Sequence, residues 1–268
     1  MGRARKVRLL GRAEPRTTGR DNGRPMSELA VKAMPRRGRL WVIAILGLGL
    51  AALAYSIVDI STQKADNDII HIAGISEAQE IFGGIPQEGD RLGSSDAPVT
   101  IQLFNDLQCS SCREAFLTTI PTLAEDYARP GDVKLLYRHY SNSENPVELG
   151  FYGAEAAAEQ GYGWQYTYLF FVNQDEVEGA GAKRFEEFLA SVAGGVEELN
   201  GPEWERAMEE TGDSSSAIGQ RLAGYEELGQ DLGIRTGQAL IVSGPNGTRT
   251  LQDSAKLGAI ERAIAAVE

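Results

Sequence analysis

Residues 99–112 read VTIQLFNDLQCSSC, and the architecture turns on this stretch. Val99, Ile101 and Leu103 alternate with polar neighbours behind Ala97-Pro98, the period-two pattern of a strand over Val99–Asn105. The chain's only two cysteines, Cys109 and Cys112, follow at once. From there the period changes. Cys112, Phe116, Ile120 and Leu123 recur at intervals of three and four, one apolar face of a helix. Pro121 lies inside that pattern and predicts a kink, because proline removes a donor and crowds the preceding turn. Pro130-Gly131 ends the helix, and residues 133–138, VKLLYR, read as a second strand. A strand–helix–strand unit of this kind predicts a parallel pair with a right-handed crossover, hence an α/β fold.

Working outward, strand signals vanish between residues 146 and 232. Residues 147–160 are Ala-rich, with Asn145 as N-cap and Pro146 at the first helical position. Residues 164–172 are aromatic and apolar, and 185–192, 202–210 and 218–232 have helical spacing. This predicts a helical insertion. Residues 239–242 then form a short apolar run, Gly244-Pro245-Asn246-Gly247 is turn chemistry, and 248–251 return as the second arm of an antiparallel hairpin. Residues 254–267 predict a closing helix. Ahead of the unit, residues 59–95 read as a stalk and leader, with 69–72 and 81–85 apolar enough to pack on the domain that begins near residue 96.

Residues 40–58, LWVIAILGLGLAALAYSIV, carry no charge over 19 positions. At about 1.5 Å per residue this approaches the ~30 Å hydrocarbon thickness of a bilayer. Arg36, Arg37 and Arg39 precede it and Asp59 follows, which predicts a signal-anchor helix with the N-terminus cytoplasmic and residues 59–268 outside. Trp41 and Tyr55 lie near the two interfaces. The small-x-small pattern Ala52-Leu53-Ala54 supports a rival reading, a cleaved signal peptide. Both readings export the body and make the site a cell-membrane or extracytoplasmic one.

Charge divides along the same line. Residues 1–39 hold 12 Lys and Arg against three acids, and the rest holds 14 against 35. A basic tail without apolar periodicity reads as disordered and as a topology signal. The formal net charge of -12 excludes nucleic acid as the main partner, since phosphate binding needs a basic face. Two cysteines exclude a disulfide-stapled miniprotein.

The spacing of those two cysteines carries the chemistry. Cys109 falls where the strand's exit loop meets a helix N-terminus, whose free N–H groups and macrodipole favour thiolate over thiol. Cys112 lies one turn later on the same face. Cys109 then reads as attacking thiol and leaving group, and Cys112 as the resolving thiol. Three other readings stand beside redox cycling: a structural disulfide, an inert reduced pair, and a zinc site completed by His71 and His139. The redox reading requires no cofactor and no metal. Asp106 and Glu114 flank the pair and read as solvated acids rather than proton relays, and His139 as a surface imidazole.

At these residues a family likeness enters. Gly84-Ile85-Pro86-Gln87, Leu92-Gly93, Asp96-Ala97-Pro98-Val99-Thr100 and Phe104-Asn105-Asp106-Leu107-Gln108-Cys109 with Cys112 resemble the membrane-anchored DsbA-like thiol–disulfide oxidoreductases. The likeness continues through Tyr137-Arg138-His139, Trp164, Asn173-Gln174 and Leu232-Gly233-Ile234. It implies a thioredoxin-like fold with an inserted helical domain. It also implies exchange with thiols and disulfides of exported proteins, and a membrane redox partner. Three positions depart from the family pattern. Gln238 stands where a cis-proline faces the active sulfur, and a cis bond to a non-proline residue costs ~2.5–4 kcal/mol. Leu103 stands where a buried carboxylate serves the resolving thiol, and leucine does no base work. Ser110-Ser111 lies between the cysteines where a cationic or aromatic side chain is frequent; serines offer hydrogen bonds only. The resulting expectation is an exported, membrane-tethered thiol–disulfide oxidoreductase. The alternatives are a non-catalytic chaperone or binding module on the same fold, and a dedicated reductase for one client such as an apocytochrome.

Overall fold

The structure, a computed structural model, describes residues 70–141, 148–234, 238–252 and 256–268. The predicted tail, anchor helix, Asn145 cap and Gly237–Gln238 peptide bond lie outside the described residues. Among those residues no helix is long and apolar enough to cross a membrane.

Strand β3 (Val99–Asn105) forms as its alternation predicts and lies, among the described residues, inside a six-stranded sheet of order β1 (Gln87–Glu88), β2 (Arg91–Leu92), β4 (Val133–His139), β3, β5 (Gln238–Gly244), β6 (Gly247–Gln252). Strand β4 (Val133–His139) pairs with β3 in parallel, from Val99 opposite Val133 to Asn105 opposite His139. The crossover is helix α2 (Ser110–Leu123). On its other side β3 pairs antiparallel with β5 (Gln238–Gly244), which turns back into β6 (Gly247–Gln252). Residues 238–242 of β5 are all buried, as befits a strand covered on both faces, whereas β6 is an exposed edge.

Pro121 lies inside the helix, as its sequence position predicts. α2 runs through the proline to Leu123 and then widens into a π-helical stretch, Ala124–Ala128, in which the Arg129 N–H reaches back to the Ala124 carbonyl at 2.8 Å.

The leader does more than its sequence suggests. Residues 70–92 supply helix α1 (Ile75–Phe82) and a hairpin, β1 (Gln87–Glu88) with β2 (Arg91–Leu92), that extends the sheet beside β4. Ile70, Ile72, Ile81 and Ile85 pack on the main core, as their hydrophobicity predicts. Gly93 closes this hairpin onto the sheet at φ +103°, where a Cβ would lie 2.8 Å from the Val133 carbonyl. Only glycine fits there without displacement.

Among the described residues of the insertion there are helices and no strand: α3 (Glu148–Ala158), α4 (Gly163–Val172), α5 (Ala182–Gly195), α6 (Gly201–Met208) and α7 (Ala217–Asp231), with a 3-10 turn over Gln174–Val177. Helix α8 (Leu257–Val267) closes the chain against β5 and β6. One aromatic cluster joins insertion and sheet. Phe116 of α2 meets Phe171 and Trp164 of α4 at 5.1 and 6.2 Å and Tyr137 of β4 at 5.8 Å.

Candidate active site

Cys109 is the N-cap of α2, with an extended backbone, and its Sγ accepts the Cys112 N–H at 3.1 Å. Sulfur therefore occupies the place that a serine or aspartate oxygen takes at most helix starts. The Ser111 hydroxyl lies 3.1 Å from the same Sγ. Cys109 is half-buried, while Cys112 is 0% exposed and packs into the core. The two sulfurs are joined in a disulfide, with Cα atoms 5.1 Å apart. Any thiol arriving from solvent meets Cys109 first.

The turn that presents Cys109 is tied at every step. Asp106 accepts the Cys109 N–H through its carbonyl at 3.2 Å and the Gln108 N–H through Oδ1 at 2.8 Å. Its Oδ2 accepts the Ser141 hydroxyl at 2.5 Å. Asp106 is buried, which corrects its reading as a solvated acid: the carboxylate is occupied in forming the turn. Glu114 is exposed and Ser110 projects to solvent. Leu103 is buried beside Asn105, Phe116 and Gln238, in a small cavity whose lining contains no carboxylate. Gln238 is buried at the first position of β5, opposite Asn105 in register.

His139 is also corrected. It is not a surface imidazole but is 5% exposed, between the rings of Tyr137 at 4.7 Å and Phe151 at 5.0 Å. Its Nε2 faces Glu155 Oε1 at 3.6 Å. Glu155 also accepts from Arg221 Nε at 2.6 Å, and Arg221 reaches Glu159 at 2.9 Å. Burial, reinforced by the Arg221 charge, lowers the His139 pKa to about 3. Burial raises the Glu155 pKa to about 7, against the pull of Arg221. The imidazole expected at the surface is thus buried and faces a carboxyl group of α3. Among the described residues no cluster of three His, Cys, Asp or Glu could hold a metal ion.

A cleft of about 880 Å³ opens beside the cysteines, floored by Leu107, Gln108, Ser110 and Arg113 and walled by Phe170 and Phe185 of the insertion. Three further residues bear on the site. Asn173 exchanges hydrogen bonds with the Ala73 backbone, Gln174 Nε2 donates to the Leu107 carbonyl at 2.6 Å, and Asp175 pairs with Arg113 of α2 at 2.5 Å. In the sequence Asn173-Gln174 stood only within the family likeness, because the end of α4 carries no period that marks a contact with a turn 67 residues away.

A sequence model of the thioredoxin family matches residues 87–225, which begins at β1. The probable disulfide bond formation protein D of Bacillus cereus is 29% identical over 123 residues, covering 46% of this chain and 50% of that protein. The chain thus spans about half the length of this curated relative. Oxidised BdbD of Bacillus subtilis superposes with a TM-score of 0.53 at 19% identity, over 68% of this chain and 95% of the other. The alpha-DsbA1 of Wolbachia pipientis does so with a TM-score of 0.52 at 13% identity, over 66% and 89%. These structures share the fold, a thioredoxin-like sheet with an inserted helical region. On the family match over more than half its length, the chain belongs to the thioredoxin family.

Proposed function

We propose that this protein is a thiol–disulfide oxidoreductase of DsbA type, exchanging the Cys109–Cys112 disulfide with thiols of client proteins. The observation that carries the proposal is the asymmetry of the pair. Cys109 sulfur is reachable and accepts the amide of a helix start, whereas Cys112 is sealed in the core. A client thiolate attacks Cys109 Sγ; the Cys109–Cys112 bond breaks and Cys112 leaves with the electron pair, taking up a proton. A second client thiolate attacks the client sulfur of the mixed disulfide. The client disulfide forms, and Cys109 leaves as a thiolate stabilised by the Cys112 N–H and the Ser111 hydroxyl. The reverse sequence reduces or reshuffles a client, and the partner that resets the cysteines selects the direction.

The cleft beside Ser110 and Arg113 suits a polypeptide rather than a small thiol, because its walls are aromatic and it lies along the approach to Cys109. The name of the Bacillus cereus relative, a disulfide bond formation protein, supports the same reading. Localisation is part of the proposal. The uncharged run at 40–58 behind three arginines anchors the chain with the domain outside the cytoplasm, where disulfides persist.

The test is thiol trapping with the full chain in cells. Cys112→Ala leaves Cys109 unable to resolve, and mixed disulfides with exported proteins are expected to accumulate and to vanish in Cys109→Ala/Cys112→Ala. Absence of any adduct in Cys112→Ala, with the protein folded and abundant, overturns the proposal in favour of a binding module.

A further inference from the structure

We propose that Gln174 is a positioning residue for the disulfide exchange, holding the turn that sets Cys109 sulfur against the start of α2. This rests on the functional reading above and adds to it a means by which the helical insertion governs the reactivity of the pair.

Residues 173–175, at the junction of α4 and the 3-10 turn, grip three elements in succession. Asn173 takes the Ala73 N–H at 2.8 Å and donates to the Ala73 carbonyl at 3.0 Å, which fastens the leader. Gln174 Nε2 donates to the Leu107 carbonyl at 2.6 Å, inside the turn. Asp175 Oδ1 accepts from Arg113 Nη1 at 2.5 Å, on the first turn of α2, while Arg113 Nη2 reaches the Val172 carbonyl at 3.4 Å. The Arg113–Asp175 pair is solvent-exposed on its acidic side and adds little by itself. The Gln174 contact is part-buried and comes from outside the turn, between residues anchored by Asp106 on the sheet side.

Residues 106–109 are therefore held from two directions: Ser141, following β4, through Asp106, and the insertion through Gln174. Leu107 lies two residues before Cys109. If its carbonyl is released, the peptide planes leading to Cys109 are free to rotate, and the 3.1 Å contact of Sγ with the Cys112 amide is the next bond affected. Hydrogen bonds to a thiolate fall off steeply with distance and angle. A looser turn thus stabilises the thiolate less. The reduced form of the protein is then less favoured, and the disulfide becomes a weaker oxidant.

The measured reaction is the exchange of the Cys109–Cys112 disulfide with two molecules of glutathione. Two electrons and two protons pass to the protein, the protein S–S bond breaks, and glutathione disulfide forms. The full chain in detergent micelles is compared with Gln174→Met, which keeps length and neutrality but removes the donor. The expected result is a three- to tenfold fall in the equilibrium constant for protein reduction, up to ~30 mV, together with an upward move of the pH midpoint of Cys109 thiolate absorbance. Arg129→Ala serves as the structural comparator. It releases the carbonyls of Glu80, Ile81 and Gly83 in the leader, and is expected to lower thermal stability without moving either redox quantity.

An unchanged equilibrium constant and midpoint in Gln174→Met overturn the proposal, as does an equal move in Arg129→Ala, which would assign the effect to general loosening. If Gln174→Met does not fold, Gln174→Asn, with its amide one methylene short of Leu107, is read by the same criteria. A parent chain that takes no electrons from glutathione or from the more strongly reducing dithiothreitol overturns the functional reading itself. A parent that exchanges normally alongside an indifferent Gln174→Met overturns only the role of Gln174.

Discussion

At Cys109 a sulfur takes the capping place of an oxygen, and the difference between a thiol and a hydroxyl is that the reduced sulfur can ionise to a nucleophilic thiolate. Two neighbours steady the charge, the Cys112 amide and the Ser111 hydroxyl. The amide belongs to the backbone and only proline in place of the resolving cysteine would remove it; the hydroxyl is removable without touching either sulfur. Ser111→Ala is expected to raise the Cys109 thiolate midpoint by roughly 0.5 pH unit, since an exposed hydrogen bond to a charged group contributes under about 1 kcal/mol. Titration of thiolate absorbance in the reduced protein measures it. The buried pair His139–Glu155 makes a second prediction at this scale. In the unfolded chain between pH 4.5 and 6.5 the imidazole carries one proton and the carboxylate none. In the folded protein the imidazole, with its pKa lowered to about 3, carries none, and the carboxyl, raised to about 7, keeps one. The proton count is the same in both states, so the pair adds no slope to stability across that window. Glu155→Gln breaks the cancellation. Between pH 4.5 and 7 ionising Glu155 weakens the native protein, because its folded pKa is the higher one. The variant is spared this loss, and its stability relative to the parent is expected to climb by about 2–3 kcal/mol across the window. Urea unfolding at a series of pH values reads the difference, and a pH-independent difference contradicts the assignment.

Elements of this protein are held to each other by rings more than by charges. Phe116 joins α2 to α4 and β4, and it is 1% exposed. Phe116→Ala is expected to destabilise the fold by about 3–5 kcal/mol, the cost of a large aromatic cavity that the sheet cannot close. Because α2, α4 and β4 share this one cluster, insertion and sheet should unfold together. Fluorescence from Trp164 and Trp204 in the insertion and far-ultraviolet circular dichroism of the whole are expected to give coincident urea transitions. Two separated transitions would show that the insertion has a core of its own. The hairpin β1–β2 depends on glycine instead: Gly89 turns it at φ +57° and Gly93 closes it onto the sheet. Gly93→Ala places a Cβ 2.8 Å from the Val133 carbonyl at a positive φ, and a loss of at least ~1 kcal/mol is expected from strain and displacement.

For the molecule as a whole, charge and apolarity are segregated along the chain. The basic first 39 residues, the uncharged run at 40–58 and the acidic remainder follow one another in order. If the run anchors the protein, the full chain stays in the membrane pellet after alkaline carbonate extraction, whereas a cleaved form is released and begins after Ala54. Mass spectrometry of the mature N-terminus separates the two outcomes. The acidic composition of residues 40–268 reads as a general effect of net charge on solubility and not as a substrate signal.

Much of this was legible in the residues alone. Strand β3, the helix behind Cys109, the parallel return strand, the helical insertion and the final hairpin all announce themselves, because each buries one face and so repeats apolar residues at two, or at three and four. The place of Cys109 at a strand-to-helix boundary follows from where those two periods meet. Tertiary structure alone decided the remainder. Strands of two residues, such as Gln87–Glu88 and Arg91–Leu92, are too short to show a period and exist because β4 offers an edge. Asp106 and His139 are polar residues whose burial depends on what covers them, and the covering groups, Ser141 and α3, come from later in the chain. Gln174 finds Leu107 only when α4 packs against α2. Periodicity records which side of an element faces inward; which atom meets which across the interior is settled by packing.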